Sequence, residues 1–84
     1  MENIRRVILN NVCYTDLVYG RINKKLGTSL LNKDIEALVI SLLSCAENKI
    51  EKIGKNFYIK DLDNKISLTI NSYTYRVITA DKLK

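Results

Sequence analysis

The stretch "NKIEKIGKN", residues 48–56, stands where the hydrophobic period of the chain changes, and it can be read in two ways. Leu43, Ala46, Ile50 and Ile53 continue a helical spacing, whereas Gly54 followed by Lys55 and Asn56 serves as a tight turn between two strands. The turn is the favoured reading. From about Lys49 onward the period is two: "KISLTIN", residues 65–71, alternates Ile66, Leu68 and Ile70 against Ser67, Thr69 and Asn71, the pattern of a strand with one buried face. "NFYIKD" (56–61) before it and "YTYRVIT" (73–79) after it are rich in aromatic and β-branched residues, and "DLDNK" (61–65) supplies turn chemistry. A β-hairpin or a three-stranded meander is expected.

Upstream of residue 48 the period is helical. Residues 33–46 form the clearest helix, with Asn32 placed to cap it and Asp34 and Glu36 in the first turn, where the dipole favours negative charge. Ile35, Leu38, Val39, Leu42, Leu43 and Ala46 make its inward stripe, which Ala37, Ile40 and Cys45 widen, so this is expected to be the central helix. A second helix is predicted from about Thr15, capped by its hydroxyl, to Leu26, with Gly27 in the left-handed conformation that ends helices. Val18, Ile22 and Leu26 form its stripe, flanked by Leu17 and Tyr14. Gly20 inside it lowers helix propensity by about 1 kcal/mol relative to alanine and is read as permitting a close approach by a neighbouring element. A shorter first helix, residues 3–11, turns Ile4, Val7 and Ile8 inward.

The expected fold is therefore α+β, a single domain over residues 1–84 with three N-terminal helices followed by a small antiparallel hairpin or meander, the order of a winged-helix domain. A chain of 84 residues buries only about 60 to 65% of its unfolded surface, which leaves little core from which to carve a deep pocket. The composition, 46% hydrophobic and 27% charged with no proline, is that of a folded chain with short loops. The apolar run in "MENIRRVILNNV" is too short for a signal peptide or a membrane span. Cys13 and Cys45 are too few for a disulfide framework and read as structural thiols in a reducing cytoplasm.

Catalysis is not expected. The chain has no histidine, which removes the commonest general base and the usual zinc sites, and no two of its glycines lie close enough for a phosphate-cradling loop. Asp61 and Asp63 lack the glycine and distal glutamate of a calcium loop, so a solvated turn accounts for them, and neither metal nor cofactor is predicted. Binding is the better reading, since 14 basic against 9 acidic residues give a net charge of +5. The third helix offers Lys33, Asp34, Glu36, Ser41 and Ser44 outward, a partly acidic face unsuited to reading base edges. Candidate phosphate contacts lie elsewhere: Arg21, Lys24 and Lys25 on the second helix, Lys52 and Lys55 at the hairpin, and Arg76.

Tyr58, Tyr73 and Tyr75 are the candidate partner-binding residues, of a type that anchors interfaces or stacks on bases. On a strand, Tyr73 and Tyr75 share a face with Val77, while Thr74, Arg76 and Ile78 take the other. That placement separates Arg76 from the tyrosines and turns their rings inward. The alternative to nucleic acid is a protein-interaction module, a homodimer or a small inhibitor or adaptor of a bacterial or phage protein, recruited by strand addition.

Three blocks, "CYTDLVYGRINKKLG" (13–27), "IEKIGKNFYI" (50–59) and "LTINSYTYRVITADKL" (68–83), resemble a family of small bacterial proteins, found mainly in Firmicutes and described as a conserved domain of unknown function. The likeness runs from Cys13 to Leu83, with residues 28–48 agreeing in hydrophobic pattern more than in identity. It implies a cytoplasmic bacterial protein or one carried on a mobile element, and it brings no activity and no catalytic residues.

Overall fold

Asn3 begins the first element: its side-chain oxygen accepts the Arg6 amide at 3.3 Å, which caps α1 (Ile4–Asn11). The computed structural model describes residues 3–83. Two more helices follow, α2 (Val18–Leu26) and α3 (Asn32–Ser44), then four strands, β1 (Lys49–Ile53), β2 (Asn56–Asp61), β3 (Ile66–Asn71) and β4 (Val77–Lys82). The strands form one antiparallel meander in the order β1-β2-β3-β4. Residues 49–53 are thus a strand, and Gly54, at φ 62°, makes the tight turn that joins β1 to β2. The sheet has four strands where a hairpin or three were expected.

The helices differ from expectation at their starts. α2 begins three residues after Thr15, whose carbonyl, not its hydroxyl, takes the Val18 amide (3.2 Å), and Leu17 at the cap position makes no side-chain bond. Gly27 ends α2 in the left-handed conformation (φ 68°), as its position predicts. Gly20 meets no neighbour: the space a β-carbon would fill there is open. Asn32 is the first residue of α3 rather than its cap, and Leu31 precedes it in extended conformation. The inward stripe of α3 is Ile35, Val39, Leu42 and Leu43; Ala37 and Ile40 face solvent, and Ala46 lies beyond the helix end.

Register explains the core. Pairing of Ile50 with Ile59, Ile59 with Leu68, Leu68 with Ala80, and Phe57 with Ile70 puts these side chains on one face of the sheet. There they join Ile8, Val18, Ile22, Leu26, Ile35, Val39, Leu42 and Leu43 from the helices in one cluster. The other face carries the row Glu51, Tyr58, Thr69 and Thr79. A register shift between Thr69 and Ile70 leaves Ile78 as the extra residue of β4.

The junction between the helical and sheet halves is polar and buried. Arg5 donates from one guanidinium nitrogen to the Leu43 carbonyl (2.7 Å) and from the other to the Asn48 carbonyl (2.7 Å), a cation at the C-terminal end of α3. Asn48, 5% exposed, donates from Nδ2 to the Leu42 carbonyl (2.9 Å) and to Asp61 Oδ2 (3.2 Å). Asp61 also accepts the Asn64 backbone amide and Asn64 Nδ2, each at 2.9 Å. The expectation of a solvated turn at Asp61 and Asp63 therefore fails for Asp61, which is buried because it is the acceptor that closes the β2–β3 turn and anchors Asn48. Hydrogen bonds from Asn64 hold its carboxyl below the ordinary value of 3.8, against the opposing effect of burial.

Two outcomes follow from this junction. Asn48→Ala removes a donor from Asp61 and strands the Leu42 carbonyl, so it should lower unfolding free energy by about 1–3 kcal/mol in urea titration. Because Asp61 has a lower pKa folded than unfolded, its contribution is present at neutral pH and is lost as pH falls through the folded value. Urea midpoints measured from about pH 5 to about pH 2 should drop less steeply for Asp61→Asn than for the wild type.

Candidate nucleic-acid interface

The amphipathic pattern that buries Val18, Ile22 and Leu26 necessarily turns the rest of α2 outward. Leu17, Gly20, Arg21, Lys24 and Lys25, at helical spacings of three and four, line one shallow surface depression. The helix contains no acidic residue, and Lys24 and Lys25 occupy its last turn, where cations complement the dipole. Lys25 Nζ lies 3.7 Å from Asp81 Oδ1, with both side chains about half exposed, a geometry that adds little stability. It is the one ion pair among the described residues.

The start of α2 is tied to β4. Cys13 forms an isolated parallel bridge with Arg76: the Cys13 amide donates to the Tyr75 carbonyl and the Val77 amide to the Cys13 carbonyl, both at 2.9 Å. Arg76 therefore sits where the segment leading into α2 meets the sheet.

Residues 72–76 do not continue a strand. Asn71 Oδ1 accepts the amides of Tyr73 (2.8 Å) and Thr74 (2.9 Å), and the Tyr75 amide returns to the Asn71 carbonyl (2.9 Å), so the side chain of Asn71 takes the donors a ladder would have used. Tyr75 adopts φ 59°, which reverses the chain before β4. The expected sharing of one strand face by Tyr73 and Tyr75, with Arg76 on the opposite face, is replaced by a hydrogen-bonded loop in which the two rings part. Tyr75 is half-buried with its ring 6.2 Å from that of Phe57, whereas Tyr73 is 72% exposed.

The same loop is joined to the β1–β2 turn, because the Ser72 amide donates to the Lys55 carbonyl (2.8 Å). Lys52 Nζ lies over the Tyr73 ring, 6.0 Å from its centroid. The fold thus gathers Lys52, Lys55, Tyr73 and Arg76 at one end of the sheet and links that end, through Cys13, to the α2 stripe. It does not bring Tyr58 there. That residue belongs to the polar row on the far face of the sheet, its hydroxyl 3.4 Å from Asn56 Nδ2.

Sequence reasoning passed over a second aromatic group. The Tyr14 and Tyr19 rings stack at 5.8 Å, and the Tyr19 hydroxyl donates to Glu36 Oε2 at 2.5 Å, joining α2 to α3. That bond pushes the Tyr19 pKa up to about 12; burial, with the Glu36 charge behind it, does the same for Tyr14, whose hydroxyl is buried without a partner. The only local signal was two tyrosines five residues apart across a turn, which carries no periodic meaning. Among the described residues no group of three metal-ligating side chains gathers, and no helix is long and apolar enough to cross a membrane.

The family model described as "Protein of unknown function (DUF3781)" matches residues 6–81, and the chain belongs to that family. No curated protein and no solved structure matches it.

Proposed function

We propose that this member of the DUF3781 family is a non-catalytic module that holds nucleic acid by its phosphate backbone, along the outer stripe of α2, Arg76 and the turns at that end of the sheet. The observation that carries the reading is uncompensated charge. Arg21, Lys24, Lys52, Lys55 and Arg76 are all exposed, and Lys25–Asp81 is the single ion pair among the described residues. Cations collected on linked elements without carboxylate partners repel one another, and a polyanion that releases its counterions relieves that repulsion.

Three helices followed by antiparallel strands is also the element order of a winged-helix domain. In that architecture the third helix enters the major groove and the hairpin touches the backbone. Here α3 buries Ile35, Val39, Leu42 and Leu43, and Glu36 is engaged with Tyr19, which leaves a poor surface for reading bases. The proposal keeps the backbone contact by the turns and assigns the helical contribution to α2, so binding is sequence-tolerant. Free Cys13 and Cys45 suit a reducing compartment, and a cytoplasmic site of action accords with them.

A second reading is favoured by one feature of the sheet. The outer edge of β1 has no strand partner among the described residues, and Ile53 at its end is 61% exposed. A second copy or another protein could add a strand there, with Tyr58 on the neighbouring strand. A dimer in light scattering that resists dilution would favour it over the first.

Fluorescence anisotropy with mixed-sequence duplex DNA and single-stranded RNA tests the main proposal. Affinity should fall steeply with salt, and the Arg21→Ala, Lys24→Ala, Lys25→Ala triple variant should show a slope shallower by about two to three on duplex. Absence of binding to either probe at about 50 mM salt would overturn it.

A further inference from the structure

We infer that the nucleic acid held on this surface is single-stranded, with one unpaired base stacked on Tyr73; the inference rests on the phosphate-binding proposal and specifies its ligand. Two tyrosines two residues apart share one loop and meet opposite fates. Tyr75 packs against Phe57, whereas Tyr73 leaves 72% of its surface in water. Exposure is therefore not a property of the loop as a whole.

Nor is Tyr73 on a loose segment. Its amide and that of Thr74 are held by Asn71 Oδ1 at 2.8 and 2.9 Å, and the adjacent Ser72 amide is bonded to the Lys55 carbonyl at 2.8 Å. The backbone carrying the ring is fixed before any ligand arrives, which lowers the entropy cost of stacking. Lys52 holds its ammonium over the ring, and exposed Lys55 and Arg76 are tied by their backbones to the residues on either side of Tyr73, Ser72 and Thr74. A rigid exposed aromatic ring beside cations is the combination that sequence-tolerant single-strand binding uses, since every base has a π-face and every linkage a charge. A duplex supplies the charges but keeps its bases stacked on one another, out of reach of a side chain that does not flip them.

Anisotropy with labelled oligo-dT, oligo-rU and a duplex of equal length, titrated over several salt concentrations, tests this with Tyr73→Ala and Tyr73→Phe. Both single strands should bind more tightly than the duplex. Tyr73→Ala should weaken single-strand binding roughly 5- to 150-fold without changing the salt slope or the duplex affinity, and Tyr73→Phe should retain it. The chain has no tryptophan, so Tyr73→Trp adds a reporter at the site. Its fluorescence should be quenched by single strands and not by the duplex, a readout independent of whether the alanine variant folds. Equal affinity for duplex and single strands, unquenched tryptophan, or an alanine variant that binds like wild type would overturn the stacking assignment while leaving phosphate binding intact. Failure of all probes to bind would remove both.

Discussion

The arrangement of this fold depends on one buried polar junction. When α3 ends, its last carbonyls need partners, and the chain must reverse into a sheet without leaving them stranded in the core. Arg5 and Asn48 meet that need together: the guanidinium takes the Leu43 carbonyl and the Asn48 carboxamide takes the Leu42 carbonyl. The same carboxamide reaches Asp61, which in turn shapes the β2–β3 turn through Asn64. α1, α3, the α3–β1 connection and the β2–β3 turn are thereby positioned by side chains that share partners, so the loss of one leaves others unsatisfied.

The basic surface is a by-product of a different constraint, the management of sheet edges. An edge strand exposes a row of backbone donors and acceptors, and the two edges here are treated differently. β4 is covered, first by Cys13 and then by α2, whose inward stripe reaches the core while its outward stripe carries Arg21, Lys24 and Lys25. β1 is left short, with Lys49 and Lys52 along it, residues that discourage indiscriminate pairing. Covering one edge is what lays the cations of α2 along β4, with Lys25 beside Asp81, and protecting the other is what supplies Lys52 beside Tyr73.

How much of this was legible depended on the range of the interactions. Period-two alternation in residues 65–71 and the glycines at 27 and 54 encode local geometry, and local geometry is what a sequence pattern states. The strand assignment at 73–76 failed because Tyr-Thr-Tyr alternates like a strand while Asn71, just upstream, competes for the same amides, and a residue count cannot say which bond wins. Residue type alone makes Thr15 and Asn32 caps, yet the turns before α2 and α3 are closed by backbone carbonyls of Thr15 and Leu31. The α2 stripe could be read from spacing. Its connection to Arg76 could not, since the Cys13 bridge joins distant parts of the chain, and Asn48 and Asp61 meet only once β1 and β2 are paired.

That bridge also differs from the sheet ladders in the length of chain it closes. Every strand pairs with its neighbour in sequence, so each hairpin closes a short loop and forms quickly, whereas the clasp of Cys13 on Arg76 closes most of the chain and carries the larger entropic cost. Release of the clasp frees the segment between α1 and α2 from the sheet, while the meander keeps its own ladders and α2 keeps its packing on Val77 and Ala80. A polyanion lying across α2 and Arg76 would bridge the two sides of that seam, and its affinity would be added to the free energy of keeping the seam shut.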